Sequence, residues 1–175
     1  MFEKYLNLLQ LIDYLGGSVD GRKKLQKLVY LIQHKGGPFQ EVFQYHLYGP
    51  FSEQLANEIE EMKVFGLVRE TQEPTSSGYK YRYSITKHGT QLLQSLSDSG
   101  LKPFKELIAE LGQYDARDLE LKATILFLAE SNFQEPDIIR SIKQLKPDQN
   151  YNDSEIKESL TYLRKRGFLL EVKCD

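Results

Sequence analysis

Apolar residues recur at helical spacing in the opening segment, "MFEKYLNLLQLIDYLGG", where Phe2, Tyr5, Leu6, Leu9, Ile12 and Leu15 share one face and Gly16-Gly17 stops the run. A second helix is predicted in "DGRKKLQKLVYLIQHKGG", with Asp20 as its N-cap, Leu25, Leu28, Val29 and Ile32 as its stripe, and Gly36-Gly37-Pro38 as its end. "VFQYHLY" reads as a strand with Phe43, Tyr45 and Leu47 on one face and His46 and Tyr48 on the other, cut off by Gly49-Pro50. Ser52 should cap a third helix that turns Leu55, Ile59 and Met62 inward and ends at Gly66. "LVRETQ" and "YKYRYSI" then alternate as strands around the turn "EPTSSG", and Thr86 can cap a helix through "KHGTQLLQSL". The resulting order is the layout of a winged helix-turn-helix, predicted over residues 1–98.

A polar break from Ser97 to Gly100 separates this part from a helical one, residues 101–175. There Pro103 opens "PFKELIAELGQY", a strongly apolar stretch "LELKATILFLAE" follows, and Pro136 lies in the first turn of "PDIIRSIKQL". The last helix carries an Asn version of a capping box, Asn152 with Glu155 three residues on. Its stripe of Ile156, Leu160 and Leu163 ends at Gly167, before a final strand in "FLLEV". Leu55, Ile59, Met62 and Gly66 recur at the same offset as Ile156, Leu160, Leu163 and Gly167. Two readings of this echo stand: any amphipathic helix stopped by glycine looks so, or the chain holds two helix-turn-helix-like modules. The predicted fold class is therefore mainly α with a small β wing (α+β), a winged N-terminal module followed by a helical, helix-turn-helix-like one.

Composition narrows the function without naming it. The 175 residues suit one domain or two small ones, and 40% hydrophobic with 27% charged residues is ordinary for a soluble globular protein. No apolar run approaches a membrane span and no charged-then-apolar leader opens the chain, so a cytoplasmic protein off the membrane is expected. Cys174 is the sole cysteine, which excludes an internal disulfide and a thiolate-rich metal site. The net charge of −2 lacks the global basic footprint of most nucleic-acid binders, so any such footprint must be local.

Candidate chemistry is sparse. His34, His46 and His88 lie at no metal-ligand spacing, and the paired glycines have no following Lys-Ser or Lys-Thr of a phosphate loop. No enzyme, cofactor or metal is expected. Tyr45, His46, Tyr48, Gly49 and Pro50 could line a pocket, but packing under the helices with a re-aimed chain is the simpler reading, and with Gly66 they are taken as structural. Arg22, Lys23, Lys24 and Lys27 form one basic helix face, and Arg164, Lys165 and Arg166 another, where cations also complement the helix dipole. Lys80, Arg82 and Lys87 add a modest patch in and after the wing. The third helix is the opposite case: Glu53, Glu58, Glu60 and Glu61 would set like charges against phosphates, which makes it a poor DNA reader and a candidate acidic face for a partner protein.

The runs "GRKKLQKLVYLIQ", "YHLYGPFSEQLANEIEEM" and the exit "GLV" together resemble the YwgA-like family of bacterial and archaeal proteins, and more distantly the Panacea antitoxin domain. The resemblance covers about residues 20 to 70, the wing loosely, and the C-terminal third hardly at all. "YRYSITKHGTQLL" separately resembles the wing-to-helix segment of winged-helix regulators, with its Tyr-x-hydrophobic-Thr-x-x-Gly pattern. The resemblance implies a winged-helix-like fold and either transcription regulation or neutralisation of a toxin by direct binding. Two functions are carried forward: DNA binding through the basic helix faces, with "FKELIAELGQY" and "TQLLQSL" available for a homodimer, and, as the alternative, an antitoxin-like or adaptor module that binds a partner protein.

Overall fold

The two glycine-stopped helices that echo each other in sequence end in the same hydrogen-bond pattern. The Leu67 amide reaches back to Met62 and Gly66 to Lys63, just as Phe168 reaches Leu163 and Gly167 reaches Arg164. Gly66 and Gly167 take φ of 66° and 70°, the left-handed turn that only glycine enters cheaply, and the following Leu67 and Phe168 are buried. In the computed structural model, which describes residues 3–95 and 99–170, these helices are α3 (Glu53–Val64) and α8 (Asp153–Lys165). Phe2, residues 97 and 98 of the polar break, the end of "FLLEV" and Cys174 lie outside the described residues.

The remaining helices are α1 (Glu3–Tyr14), α2 (Arg22–His34), α4 (Lys87–Ser95), α5 (Lys105–Gly112), α6 (Ala116–Glu130) and α7 (Glu135–Leu145). The strands are β1 (Ser18–Asp20), β2 (Gln44–His46), β3 (Gly49–Phe51), β4 (Val68–Thr75) and β5 (Gly78–Ile85). The fold is mainly α with a small antiparallel sheet of order β1-β5-β4 and a separate β2–β3 hairpin. Local start signals behave as their chemistry dictates. The Ser52 side chain accepts from the Leu55 amide, Thr86 accepts from Gly89, and Asn152 and Glu155 exchange both bonds of the capping box.

Four expectations are corrected. Asp20 does not cap α2. It belongs to β1, opposite Arg82, and its carboxylate takes Arg82 Nε at 2.7 Å and Lys80 Nζ at 2.8 Å, while Gly21 occupies the cap position with no side chain to offer. "VFQYHLY" is not one strand: the chain reverses over Leu47-Tyr48, so Gly49-Pro50 starts the return strand opposite His46 and Tyr45. Leu47 is therefore 75% exposed instead of sharing a face with Tyr45. The wing strands also reach further than predicted, leaving only Ser76-Ser77 as the turn; Pro74 is tolerated because β4 is an edge strand. Phe168 to Leu170 form no strand.

One buried apolar cluster draws on every helix from α1 to α8 except α4, whose Leu92 and Leu93 pack against it partly buried. Its axis is α6, buried nearly all round from Leu119 to Leu126, with Glu120, Lys122 and Thr124 buried among its apolar residues. α6 packs on α2, β3, α7 and α8, so the cluster runs without a break across residues 98–101. At the base of the wing, Gly89 of α4 lies so close to the β4 start that an added Cβ would sit 2.2 Å from the Leu67 carbonyl oxygen. Gly89→Ala should thus cost about 1–3 kcal/mol in urea unfolding, because the clash is with backbone that cannot rotate away; an unchanged midpoint would show that α4 docks otherwise.

Candidate nucleic-acid interface

Residues of α2 that look like an outer polar face are the clamp that holds the β2–β3 segment. Gln26 donates to the Ser52 carbonyl at 2.8 Å and accepts from the Ser52 amide at 2.9 Å. Seven residues on, on the same helix face, Gln33 treats Glu41 identically, donating to its carbonyl at 2.9 Å and accepting from its amide at 2.8 Å. Each amide side chain thus replaces a neighbouring strand, satisfying backbone groups whose unpaired burial would cost about 1–3 kcal/mol apiece. Between them Lys27 reaches the Pro50 carbonyl at 2.5 Å. Lys27 is 1% exposed, which corrects its placement on a basic outer face: it is part of the interior.

The clamp closes over a buried ionic cluster. Lys146, just past α7, pairs with Glu120 of α6 at 2.7 Å, both about 3% exposed, and also donates to the Leu47 carbonyl. Burial pushes the Lys27 ammonium down to about 8, against the attraction of Glu120 and with the repulsion of Lys146. The Tyr45 and Thr124 hydroxyls are buried alongside without a protein partner. Gly49 fits here because its φ is 81° and a Cβ would meet the Thr124 hydroxyl at 2.6 Å. Tyr45 lies against Phe127 and His46 against Phe51, so of this tip Tyr48 and Leu47 are what solvent meets.

The acidic third helix divides in the same way. Glu58 is 5% exposed, not on an acidic outer face, and turns into a cleft with Glu41. Burial first, then the Glu58 charge, push the Glu41 carboxyl up to about 7, with the Ser52 hydroxyl at 3.0 Å pulling the other way. Glu53 is exposed; Glu60 pairs with Lys63 at 2.8 Å and Arg22 at 3.7 Å, and Glu61 takes Lys4 at 2.7 Å and the Tyr5 hydroxyl at 2.6 Å.

The remaining cations gather in a groove of about 640 Å³ between the α2 start, the open edge of β5 and the α5–α6 connection. Arg22, Lys23, Lys24 and Lys80 line it, with Tyr79, Tyr81 and Tyr114. Lys23 sits 3.2 Å above the Tyr48 ring and Arg22 5.3 Å above the Tyr81 ring, while Lys24 is half-buried and donates to the Gly112 carbonyl at 2.6 Å. The two carboxylates in the groove are engaged: Asp115 caps α6, and Arg82 with Lys80 hold Asp20 below the usual carboxylate range. Arg82 and Lys87 lie outside the groove, as do Arg164, Lys165 and Arg166; Arg164 is tied to Glu135 and Arg166 to Glu110. Sequence reasoning missed Glu120, Lys146 and Glu41, whose signal was a charge inside an apolar run or between two turns. It also missed Tyr114, which only the fold brings to Tyr79 and Tyr81. Among the described residues no three His, Cys, Asp or Glu side chains converge as a metal site, and no helix is long and apolar enough to cross a membrane.

Two stability measurements follow. Glu120→Gln leaves two buried lysines without a counter-charge and should cost about 3–5 kcal/mol in urea unfolding, part of it recovered when Lys146→Met and Glu120→Leu replace the pair together, since Lys27 alone then stays buried without a carboxylate. Glu41, raised from 4.5 to about 7, stabilises the fold fully below pH 4.5 and loses that contribution as pH climbs through 7. Stability should fall by up to about 3 kcal/mol over that window, and Glu41→Gln should flatten the curve. A wild-type curve that is already flat there would show that Glu41 ionises freely.

No family model matches the chain. Over 163 residues it is 31% identical to the Uncharacterized protein YwgA of Bacillus subtilis (strain 168), spanning 93% of this chain and 96% of that protein. The likeness therefore extends beyond the clamp segments at 20–70 into the helical C-terminal part. Gln26, Lys27 and the Tyr48-Gly49-Pro50 turn form one interlocked unit, and at this identity and coverage the chain belongs to the YwgA-like family.

Proposed function

We propose that the protein is a non-enzymatic cytoplasmic regulator that binds nucleic acid through the groove at the start of α2. The observation that carries this reading is the convergence of Arg22, Lys23, Lys24 and Lys80 around a groove whose two carboxylates are already engaged. The α2 start adds to it: Gly21 supplies no side-chain cap and the first turn of the helix, with the positive end of its dipole, lines the same groove. The order α1-β1-α2-α3-β4-β5, with β5 between β1 and β4, supports reading residues 1–98 as a winged helix with the β2–β3 hairpin inserted before α3. On this reading α3 does not enter a groove of DNA, because Glu53, Glu60 and Glu61 occupy its outer side.

A specific feature favours the antitoxin-like or adaptor alternative. At the end of α3, Val64 is 84% and Phe65 47% exposed beside Glu60 and Glu61, an apolar tip with an acidic rim that suits a basic partner protein. A homodimer through α4 and α5 is compatible with either reading.

Fluorescence anisotropy with labelled oligonucleotides separates them. Binding should weaken steeply with salt, and Lys23→Glu with Lys80→Glu should remove it. These two are chosen because Lys23 is exposed and Asp20 keeps Arg82 when Lys80 is lost. Binding weaker than about millimolar at low salt would end the nucleic-acid reading; recovery from native extract of one stoichiometric partner, released by Glu60→Lys with Glu61→Lys, would establish the alternative.

A further inference from the structure

We infer that the groove takes single-stranded nucleic acid in preference to duplex, an inference that rests on the nucleic-acid reading above. Three independent observations carry it. The first is the lining: among the four cations stand Tyr79, Tyr81 and Tyr114, and Tyr79 is 64% exposed. Aromatic rings bind unpaired bases by stacking on their faces, which a duplex keeps covered.

The second is the way β5 presents these side chains. β1 pairs with β5 only from Arg82 to Ser84, so residues 79–81 have β4 on one side and the groove on the other. Along that open edge Tyr79 and Tyr81 project to one face of the ribbon, roughly 7 Å apart, and Lys80 to the other. A strand lying along the edge would meet two stacking surfaces on its base side and a cation on its phosphate side. Tyr114 faces them from the opposite wall, fixed edge-on against Tyr162 at 5.5 Å with Lys122 Nζ 4.0 Å above its ring.

The third is the charge beyond the rim. Arg22 links the groove to Glu70 of β4 at 2.9 Å and to Glu60 of α3 at 3.7 Å, so carboxylates begin at its rim. A duplex brings a second phosphate strand, for which the groove supplies no further cation. A single strand confined to the groove meets the cations and avoids α3.

The test uses the full chain and fluorescence anisotropy with labelled oligothymidylate, oligouridylate and a mixed duplex of equal phosphate count over a salt series. Both single strands should bind about tenfold or more tightly than the duplex. Tyr79→Ala should weaken single-strand binding by about tenfold with the salt slope unchanged, while Tyr79→Phe should retain it. Lys80→Ala should instead flatten the slope by about 0.7, one phosphate contact on a single strand. Circular dichroism confirms that these exposed variants fold. Duplex bound as tightly as single strand, or a Tyr79→Ala variant that binds normally, overturns the inference and leaves the nucleic-acid reading intact; no binding of any oligonucleotide at low salt overturns both.

Discussion

The path of the chain from α2 to α3 depends on two glutamine side chains seven residues apart on α2. The segment between α2 and α3 is long, and its only regular pairing is the three-residue β2–β3 hairpin, which alone would be marginal in water. Gln26 and Gln33 supply what a sheet would otherwise supply, a donor and an acceptor at fixed separation for one backbone unit each. Because both lie on one helix face, the segment is pinned at Glu41 and at Ser52, and Ser52 then starts α3. The orientation of α3 is thus set from α2 through hydrogen bonds as well as through apolar packing.

The pinned hairpin must cover something, and what it covers is polar. Lys27, Glu120 and Lys146 carry a net positive charge into the interior, with two hydroxyls that find no protein partner. Such an arrangement is weak as a source of stability, since two charges lose hydration for each attraction gained. Its effect is on geometry. Lys27 fixes the Pro50 carbonyl from α2 and Lys146 fixes the Leu47 carbonyl from beyond α7, so the two ends of the hairpin tip are held by opposite halves of the chain. The lysine on Tyr48 at the groove rim follows from the same placement, because Tyr48 can lie under Lys23 only where the tip is held.

What the sequence made legible follows the range of the interaction. Ser52, Thr86, Gly66 and the Asn152–Glu155 box act within four residues, and each does what its type and spacing predict. β1 was not legible, because three residues show no period and the strand exists through pairing with β5, more than sixty positions away. The reversal before Gly49 was hidden for a related reason: Lys27 and Lys146 hold the tip it forms and Thr124 of α6 leaves no room for a side chain at Gly49, and no local pattern brings these residues there. Lys27 was misread because α6 covers the side of α2 that in an isolated helix would face water. Charge pattern did identify Arg22, Lys23, Lys24 and Lys80, but the tyrosines that give the groove its character come from β5 and the α5–α6 connection, and only the fold assembles them.

A consequence concerns which residues can inform function. The segments that carry the family resemblance, "GRKKLQK" and "YHLYGPFS", bury Gln26, Lys27 and Ser52, while Arg22, Lys23, His46 and Tyr48 stay exposed. Gln26, Lys27, Gly49 and Pro50 therefore belong to the clamp and say nothing by themselves about what the surface binds. The first turn of α2 is where structure and surface chemistry part: Arg22 and Lys23 face solvent, Lys24 stands half-way, and from Leu25 the helix is interior to Ile32. A single basic run thus serves two ends of different kind. Substitutions at Lys27 would report on folding and those at Lys23 on binding, although the two lie one helical turn apart. Tyr79, Lys80, Tyr81 and Tyr114, which line the groove, take no part in the hydrogen bonds that hold α2, the hairpin and α3 together, so the chemistry of the groove is set apart from that of the clamp.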